Sequence, residues 1–199
     1  MELLLATRNQ HKTREFTQLL GGNFMVRDLT SKSNVPAIVE SGATFEENAA
    51  LKAITISKIF PNEIVIADDS GLEVEALAGA PGIFSARYAG EHVNDRRNVE
   101  KLLRELQDAR DRSARFYCVI ALARSGQLVT TAVGEVAGTI TESARGETGF
   151  GYDPIFVPNG FSETFAELTS ETKNKISHRA QAAAALLRHF NTALRSGEM

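Results

Sequence analysis

The sequence predicts an α/β fold built on a mixed β-sheet. Three observations carry that expectation. Leu3–Ala6 and the run from Glu63 to Ala67 have the near-continuous apolar character of strands buried on both faces. Segments with helical spacing of apolar residues separate these runs and recur after them. Arg115–Ala123 and Gln127–Val136 are β-rich runs joined by Arg124-Ser125-Gly126, which predicts an antiparallel hairpin. Buried strands, crossover helices and a later hairpin predict an elongated mixed sheet flanked by helices, with two lobes and a central cleft. The length, 199 residues, fits one domain over 1–199.

The first strand, Leu3–Ala6, ends at the polar residues Thr7, Arg8 and Asn9. Phe16, Leu19 and Leu20 share a face of the helix that follows, and Gly21-Gly22 stops it. Phe24–Val26 is a short strand, and Leu29–Ser41 a polar loop interrupted by Pro36. Thr44-Phe45-Glu46-Glu47 has capping-box spacing, in which Thr44 accepts from the Glu47 amide and Glu47 reaches back. That helix runs to about Ile59 and stops at Phe60-Pro61, since the residue before proline is held out of the α region. The next strand is expected to end at Asp68-Asp69-Ser70-Gly71, a turn-like composition. Leu72–Leu77 extends the sheet or forms a short helix, and Gly79-Ala80-Pro81-Gly82 begins a loop reaching Gly90. Val99, Leu102, Leu103 and Leu106 recur at i, i+3, i+4 and i+7, so Asn94–Gln107 holds an amphipathic helix. After the hairpin, Glu142–Gly151 is a loop and Ile155–Val157 a short strand. Ser177 caps a final helix whose Ala183, Leu186, Leu187 and Phe190 share a face.

Composition excludes several classes of function. Lys plus Arg number 22 against 25 Asp plus Glu, a net charge of −3, whereas a nucleic-acid polymer is held by excess basic residues. A small anion met by a few local cations remains compatible with that balance. The lone cysteine, Cys118, gives neither an intrachain disulfide nor a zinc cluster, and favours a reducing, cytoplasmic setting. The apolar run at the N-terminus is too short for a signal peptide or a membrane span, so no membrane partner is expected.

Five segments look chemical. Thr7-Arg8-Asn9-Gln10-His11-Lys12 spans a strand-to-helix turn, and cations at a helix N-terminus are unfavourable unless an anion lies between them. The segment is either a phosphate site or a solvated turn with Asn9 as N-cap. Asp68 and Asp69 follow four apolar residues at a strand end, where carboxylates suit Mg²⁺, although Asp-Ser-Gly is also ordinary turn chemistry. Taken alone, Glu40 reads as a solvated loop acid. Thr44, Asn48, Lys52 and Thr55 form a polar stripe, usually a solvent face, on which Lys52 could instead meet phosphate. Phe150-Gly151-Tyr152-Asp153, flanked by Gly146 and Gly149, offers aromatics to stack a base or to cap the core. Ser177-His178-Arg179, preceded by Lys173 and Lys175, repeats the conflict of cations at a helix start.

In order, Thr7-x-Asn9-x-x-Lys12, Ala67-Asp68-Asp69-Ser70-Gly71-Leu72, Gly79-Ala80-Pro81-Gly82-Ile83-x-Ser85-Ala86-Arg87-Tyr88, Gly149-Phe150-Gly151-Tyr152-Asp153-Pro154 and Ser177-His178-Arg179 closely resemble the inosine triphosphate pyrophosphatase family. The likeness covers Leu3 to about Leu187. It implies Mg²⁺-dependent hydrolysis of ITP, dITP and XTP to monophosphate and pyrophosphate, by a homodimer whose central cleft binds the nucleotide. By resemblance, Thr7, Arg8, Asn9, Gln10, His11 and Lys12 bind the triphosphate. Glu40 and Asp69 hold Mg²⁺, Asp69 is the catalytic proton acceptor and Ser70 contacts substrate. Phe150, Gly151, Tyr152, Asp153, Lys173, His178 and Arg179 form the nucleotide and base site. One departure is Arg8, where many relatives carry glycine.

Overall fold

Leu3, Leu4 and Leu5 are wholly buried in β1 (Glu2–Leu5) because the strand has a parallel neighbour on each side, β2 (Met25–Arg27) and β3 (Ile64–Val74). Parallel neighbours need crossovers that cover the sheet faces, which explains the unbroken apolar run. The crossovers are α1 (Gln10–Leu20) and α2 (Phe45–Ile59). Three further strands, β4 (Ser113–Arg124), β5 (Gln127–Ile140) and β6 (Phe156–Pro158), complete a six-stranded sheet of order β2-β1-β3-β4-β5-β6. β5 and β6 pair antiparallel, so the sheet is mixed. The remaining helices are α3 (Asp95–Glu105), α4 (Ser170–Ile176) and α5 (His178–Ser196). These elements belong to a computed structural model that describes residues 1–32, 34–90 and 94–196. Among them, no helix is long and apolar enough to cross a membrane.

The β4–β5 connection is the two-residue turn Ser125-Gly126, with φ of 51° and 79°. Positive φ at both central positions matches the right-handed twist of a hairpin, and Gly126 adopts it without strain. The chain divides into two compact units. The first comprises Met1–Asp69, Cys118–Gly134 and Arg179–Met199, around a core that includes Leu5, Phe16, Ile66, Cys118, Leu186 and Phe190. The second comprises Ser70–Tyr117 and Glu135–His178, around Leu72, Leu102, Phe116, Tyr152, Phe156 and Phe165. Phe116 meets Phe156 edge-on at 4.7 Å between ring centroids, a favoured aromatic arrangement.

Several features differ from the sequence expectation, among them the expected loop from Gly79 to Gly90, within which Gly82–Arg87 forms a 3-10 helix. β3 does not end at a turn before Asp68 but continues through both aspartates to Val74, after which Glu75–Leu77 forms one 3-10 turn. Successive strand residues point to opposite faces. Each carboxylate finds a cation within the first unit, so neither needs the solvent of a turn. The Thr44 hydroxyl accepts from the Glu47 amide at 3.1 Å as expected, but the Glu47 carboxylate reaches one residue further back, to the Ala43 amide at 2.6 Å. α4 has no forerunner in the periodicity, since seven residues are too few to repeat an apolar face. Its start is fixed by the Thr169 hydroxyl, which accepts from the Thr172 amide.

Candidate active site

The loop after β1 braces itself. Thr7 Oγ1 accepts from the Asn9 amide at 3.1 Å, and Asn9 Oδ1 caps α1 by accepting from the His11 and Lys12 amides at 2.9 and 3.3 Å. Gln10 and His11 are exposed on the first turn. Arg8 turns away along the surface, donating from Nη2 to the carbonyls of Lys32 (3.3 Å) and Val35 (2.7 Å), which ties down the loop after β2.

Lys12 Nζ lies 2.8 Å from Asp68 Oδ2. Arg179, in the first turn of α5, places Nε 3.6 Å from the same oxygen and donates from Nη1 to Glu15 Oε2 at 3.0 Å. Cations near the starts of α1 and α5 are thus offset by one shared carboxylate, which removes the electrostatic conflict read from the sequence. Asp68 is 3% exposed. Burial alone would raise its proton affinity, but Lys12 and Arg179 outweigh it and hold the carboxyl well below its ordinary 3.8.

Asp69 faces a second cluster. Lys52 Nζ donates to Asp69 Oδ1 at 2.9 Å and to Glu40 Oε1 at 2.6 Å. The polar stripe of α2 is therefore not a solvent face: Asn48 is 1% and Lys52 7% exposed. Nor is Glu40 a free loop acid, because the ammonium draws it against the helix. Burial pushes the Asp69 carboxyl above 3.8, opposed by Lys52 and assisted by Glu40. Lys52 is held above its ordinary value, burial being outweighed by Asp69, Asp68 and Glu40.

Two carboxylates sharing one ammonium form a hard oxygen donor set. Mg²⁺ is commonly held by one or two carboxylates, with water and substrate phosphate completing its shell, so Glu40 and Asp69 fit it. Among the described residues no group of three or more His, Cys, Asp and Glu is assembled around a metal position, so a closed all-protein cage is not built here.

The second unit gathers its candidates differently. Asp153 is 3% exposed, and its Oδ2 accepts from the Phe150 amide at 2.9 Å and from Lys173 Nζ at 2.7 Å. That ammonium also lies 5.2 Å from the Phe150 ring centroid, within cation–π range. Gly149 sits at φ +79°, and a Cβ there would collide with the Asp153 carboxylate, so the loop closes on that carboxylate only with glycine. The Gly151 amide donates to Asp95 Oδ2, at the start of α3, at 2.7 Å. Tyr152 is a core residue whose hydroxyl donates to the Ser85 carbonyl at 2.9 Å, and burial raises its pKa further from neutrality. Phe150 is half-buried. His178 is 2% exposed and stacks on Phe116, with centroids 4.6 Å apart and planes at 8°. Ser70, half-buried on β3, begins this unit's share of the chain.

The first unit thus brings together Lys12, Asp68 and Arg179, and separately Glu40, Lys52 and Asp69. The second brings together Phe150, Asp153 and Lys173. Sequence reasoning missed Glu15, Asn48 and Asp95 as supporting residues. Asp95 had a local signal, an acid in the first turn of a helix, and Asn48 lay on the polar stripe of α2. Asn48 and Glu15 look like ordinary polar helix residues until the partners they reach are known.

The Ham1 family model matches residues 3–189. A Bacillus licheniformis protein named dITP/XTP pyrophosphatase is 52% identical over 184 residues, covering 91% of this chain and 93% of the relative. A protein of the same name from Shouchella clausii is 49% identical over 187 residues, covering 93% and 94%. The solved structure of a HAM1 protein from Coxiella burnetii superposes with a TM-score of 0.86 at 41% identity, covering 97% of this chain and all of the other. A family model matching residues 3–189, together with relatives about half identical over more than nine-tenths of the chain, places the chain in the Ham1 family.

Proposed function

We propose that this enzyme hydrolyses the non-standard purine nucleoside triphosphates ITP, dITP and XTP to the monophosphate and pyrophosphate, with Mg²⁺, clearing them from the nucleotide pool. The observation that carries this reading is the buried charge array on β3, in which Asp68 joins Lys12 to Arg179 while Asp69 and Glu40 share Lys52. The names of the curated relatives support the same chemistry.

In this reading Glu40 and Asp69 hold the metal, which when bound offsets charge on the phosphates and on the departing pyrophosphate. The segment from Thr7 to Lys12 receives the triphosphate at the start of α1, where helix polarity and the Lys12 ammonium favour an anion. Asp69 either accepts the proton of the water that attacks the α-phosphorus or, since a bound divalent cation lowers a carboxylate's proton affinity, only orients that water with help from Asp68. Ser70 contacts the substrate. Lys12 and Lys52 add positive potential where negative charge develops.

Base recognition falls to the Phe150–Asp153 loop, Lys173, His178 and Arg179. Phe150 offers a π-face for stacking. Hypoxanthine and xanthine carry an acceptor at position six where adenine carries a donor, so donors fixed by ion pairing or stacking reject adenine. Guanine shares the acceptor and is refused through its 2-amino group. Discrimination built on buried hydrogen bonds reaches about 10⁴-fold. We also propose a homodimer in a reducing cytoplasm, consistent with a buried, unpaired Cys118 whose thiol burial keeps protonated.

Product analysis from ITP, XTP, dTTP, GTP and ATP, with Mg²⁺ and with chelator, tests the reading. It expects pyrophosphate from ITP and XTP, abolished by chelator. Saturable ITP binding without product would make the protein a nucleotide sensor. Equal turnover of dTTP and ATP would make it a broad pyrophosphatase.

A further inference from the structure

Asn48 lies one helical turn before Lys52 on α2 and is 1% exposed. Its Oδ1 accepts from the Gly42 amide at 2.8 Å, while two residues earlier the Glu40 carboxylate accepts from Lys52 Nζ at 2.6 Å. One face of the helix therefore grips the same short segment twice, since residues four apart share a face. The neutral amide holds the backbone and the ammonium holds the carboxylate. Glu47 adds a third grip by accepting from the Ala43 amide.

The approach is close. A Cβ on Gly42 would stand 2.7 Å from Glu47 Cβ and 2.8 Å from Asn48 Oδ1, so the segment reaches this position only with glycine. Asn48 Nδ2 is buried and makes no hydrogen bond among the described residues. A side chain selected for packing alone would not carry such a donor, whose burial is unfavourable.

We propose that Asn48 is a positioning residue for Glu40, fixing its carboxylate beside Asp69 through the Gly42 amide so that the two acids are preset for a divalent cation. The inference rests on the reading of Glu40 and Asp69 as metal ligands. Residues that orient a metal ligand typically influence metal affinity by about 10–100-fold.

The test is calorimetric titration of the nucleotide-free protein with Mg²⁺ alone, beside the Mg²⁺ dependence of initial rates. Asn48→Ala is expected to weaken Mg²⁺ binding within that range while retaining a cooperative melt. Gly42→Ala attacks the contact from the other side, and is expected to produce the same loss even if Asn48→Ala folds poorly. In a Glu40→Gln background, Asn48→Ala is expected to add no further loss, because its effect passes through Glu40. An Asn48→Ala protein that melts earlier but binds Mg²⁺ like the parent overturns the proposal. Additive losses from Asn48→Ala and Glu40→Gln overturn it too, leaving the metal reading intact. Unchanged Mg²⁺ binding in Glu40→Gln itself overturns both.

Discussion

Lys12 in the first unit and Lys173 in the second each place Nζ close to a buried aspartate, at 2.8 Å from Asp68 and 2.7 Å from Asp153. The pairs differ in what surrounds them. Asp68 is shared with Arg179, and the neighbouring cluster adds Lys52, Asp69 and Glu40. Asp153 instead takes the Phe150 amide, and Lys173 sits over the rings of Phe150 and Phe165. The first setting is a lattice of unit charges, and the second an ion pair among aromatic rings. Among the described residues, the ion pairs of the first setting join four carboxylates (Glu15, Glu40, Asp68, Asp69) to three cations (Lys12, Lys52, Arg179). On the proposed reading, a divalent cation held by Glu40 and Asp69 offsets part of this carboxylate charge and so favours the approach of a polyphosphate. On the same reading, the second setting receives the flat heterocycle of the base.

The sharpest way to break this division of labour is Asp69→Asn. Removing a positioned proton acceptor costs about 10²–10⁴-fold in rate, so pyrophosphate release from ITP is expected to fall by that factor with the fold retained. Near-parental turnover would remove Asp69 from the chemistry.

Asp68→Asn probes the same unit through stability. Withdrawing one partner from a buried ionic pair typically destabilises by about 3–5 kcal/mol, and here it strands both Lys12 and Arg179. The pH dependence has a definite sign. Asp68 is held below its ordinary 3.8, so its stabilisation is complete above that value and is lost as pH falls further, through the folded-state pKa. Denaturant unfolding of parent and variant is expected to show a gap that is constant from neutrality to about pH 4 and closes below it. A gap that closed between pH 7 and pH 5 would mean that Asp68 is not the hub.

Much of this was legible in the sequence. The apolar run of β1, the periodicity of α3 and the hairpin at Ser125-Gly126 each follow from a local pattern, and the structure contains them. Asp68-Asp69-Ser70-Gly71 was not legible as strand, because turn preference is local whereas the partners of those acids, Lys12, Lys52 and Arg179, come from three helices distant in sequence. The same reason hid Glu40: an isolated loop acid is recognised only once Lys52 has been brought to it. Periodicity marked the stripe on α2 as polar, and burial of Asn48 and Lys52 then reversed its meaning.

In the second unit, Phe150→Ala removes a stacking face without touching the carboxylate array. The loss is expected to be about 1–3 kcal/mol. It should appear as a raised KM for ITP with kcat little changed, measured by initial rates. A fall in kcat at constant KM would instead place Phe150 near the reacting phosphates, erasing the contrast between the units.

The smallest effect separates distance from strength. Arg115, in the second unit, contacts Glu73 at 2.6 Å and Glu135 at 2.9 Å, comparable to the 2.8 and 2.9 Å of the lysine pairs on Asp68 and Asp69. Its side chain is half exposed, whereas that of Asp68 is 1% exposed. Water screens the first arrangement and is excluded from the second, and exposed ion pairs are worth about 0.2–1 kcal/mol. Arg115→Ala is therefore expected to lower unfolding free energy by less than about 1 kcal/mol, and the difference should vanish in molar salt, where the screening length is about 3 Å. Activity toward ITP should not change. If Arg115→Ala were as damaging as Asp68→Asn, burial would not be what distinguishes the charge array on β3, and its assignment to phosphate and metal would lose its physical basis.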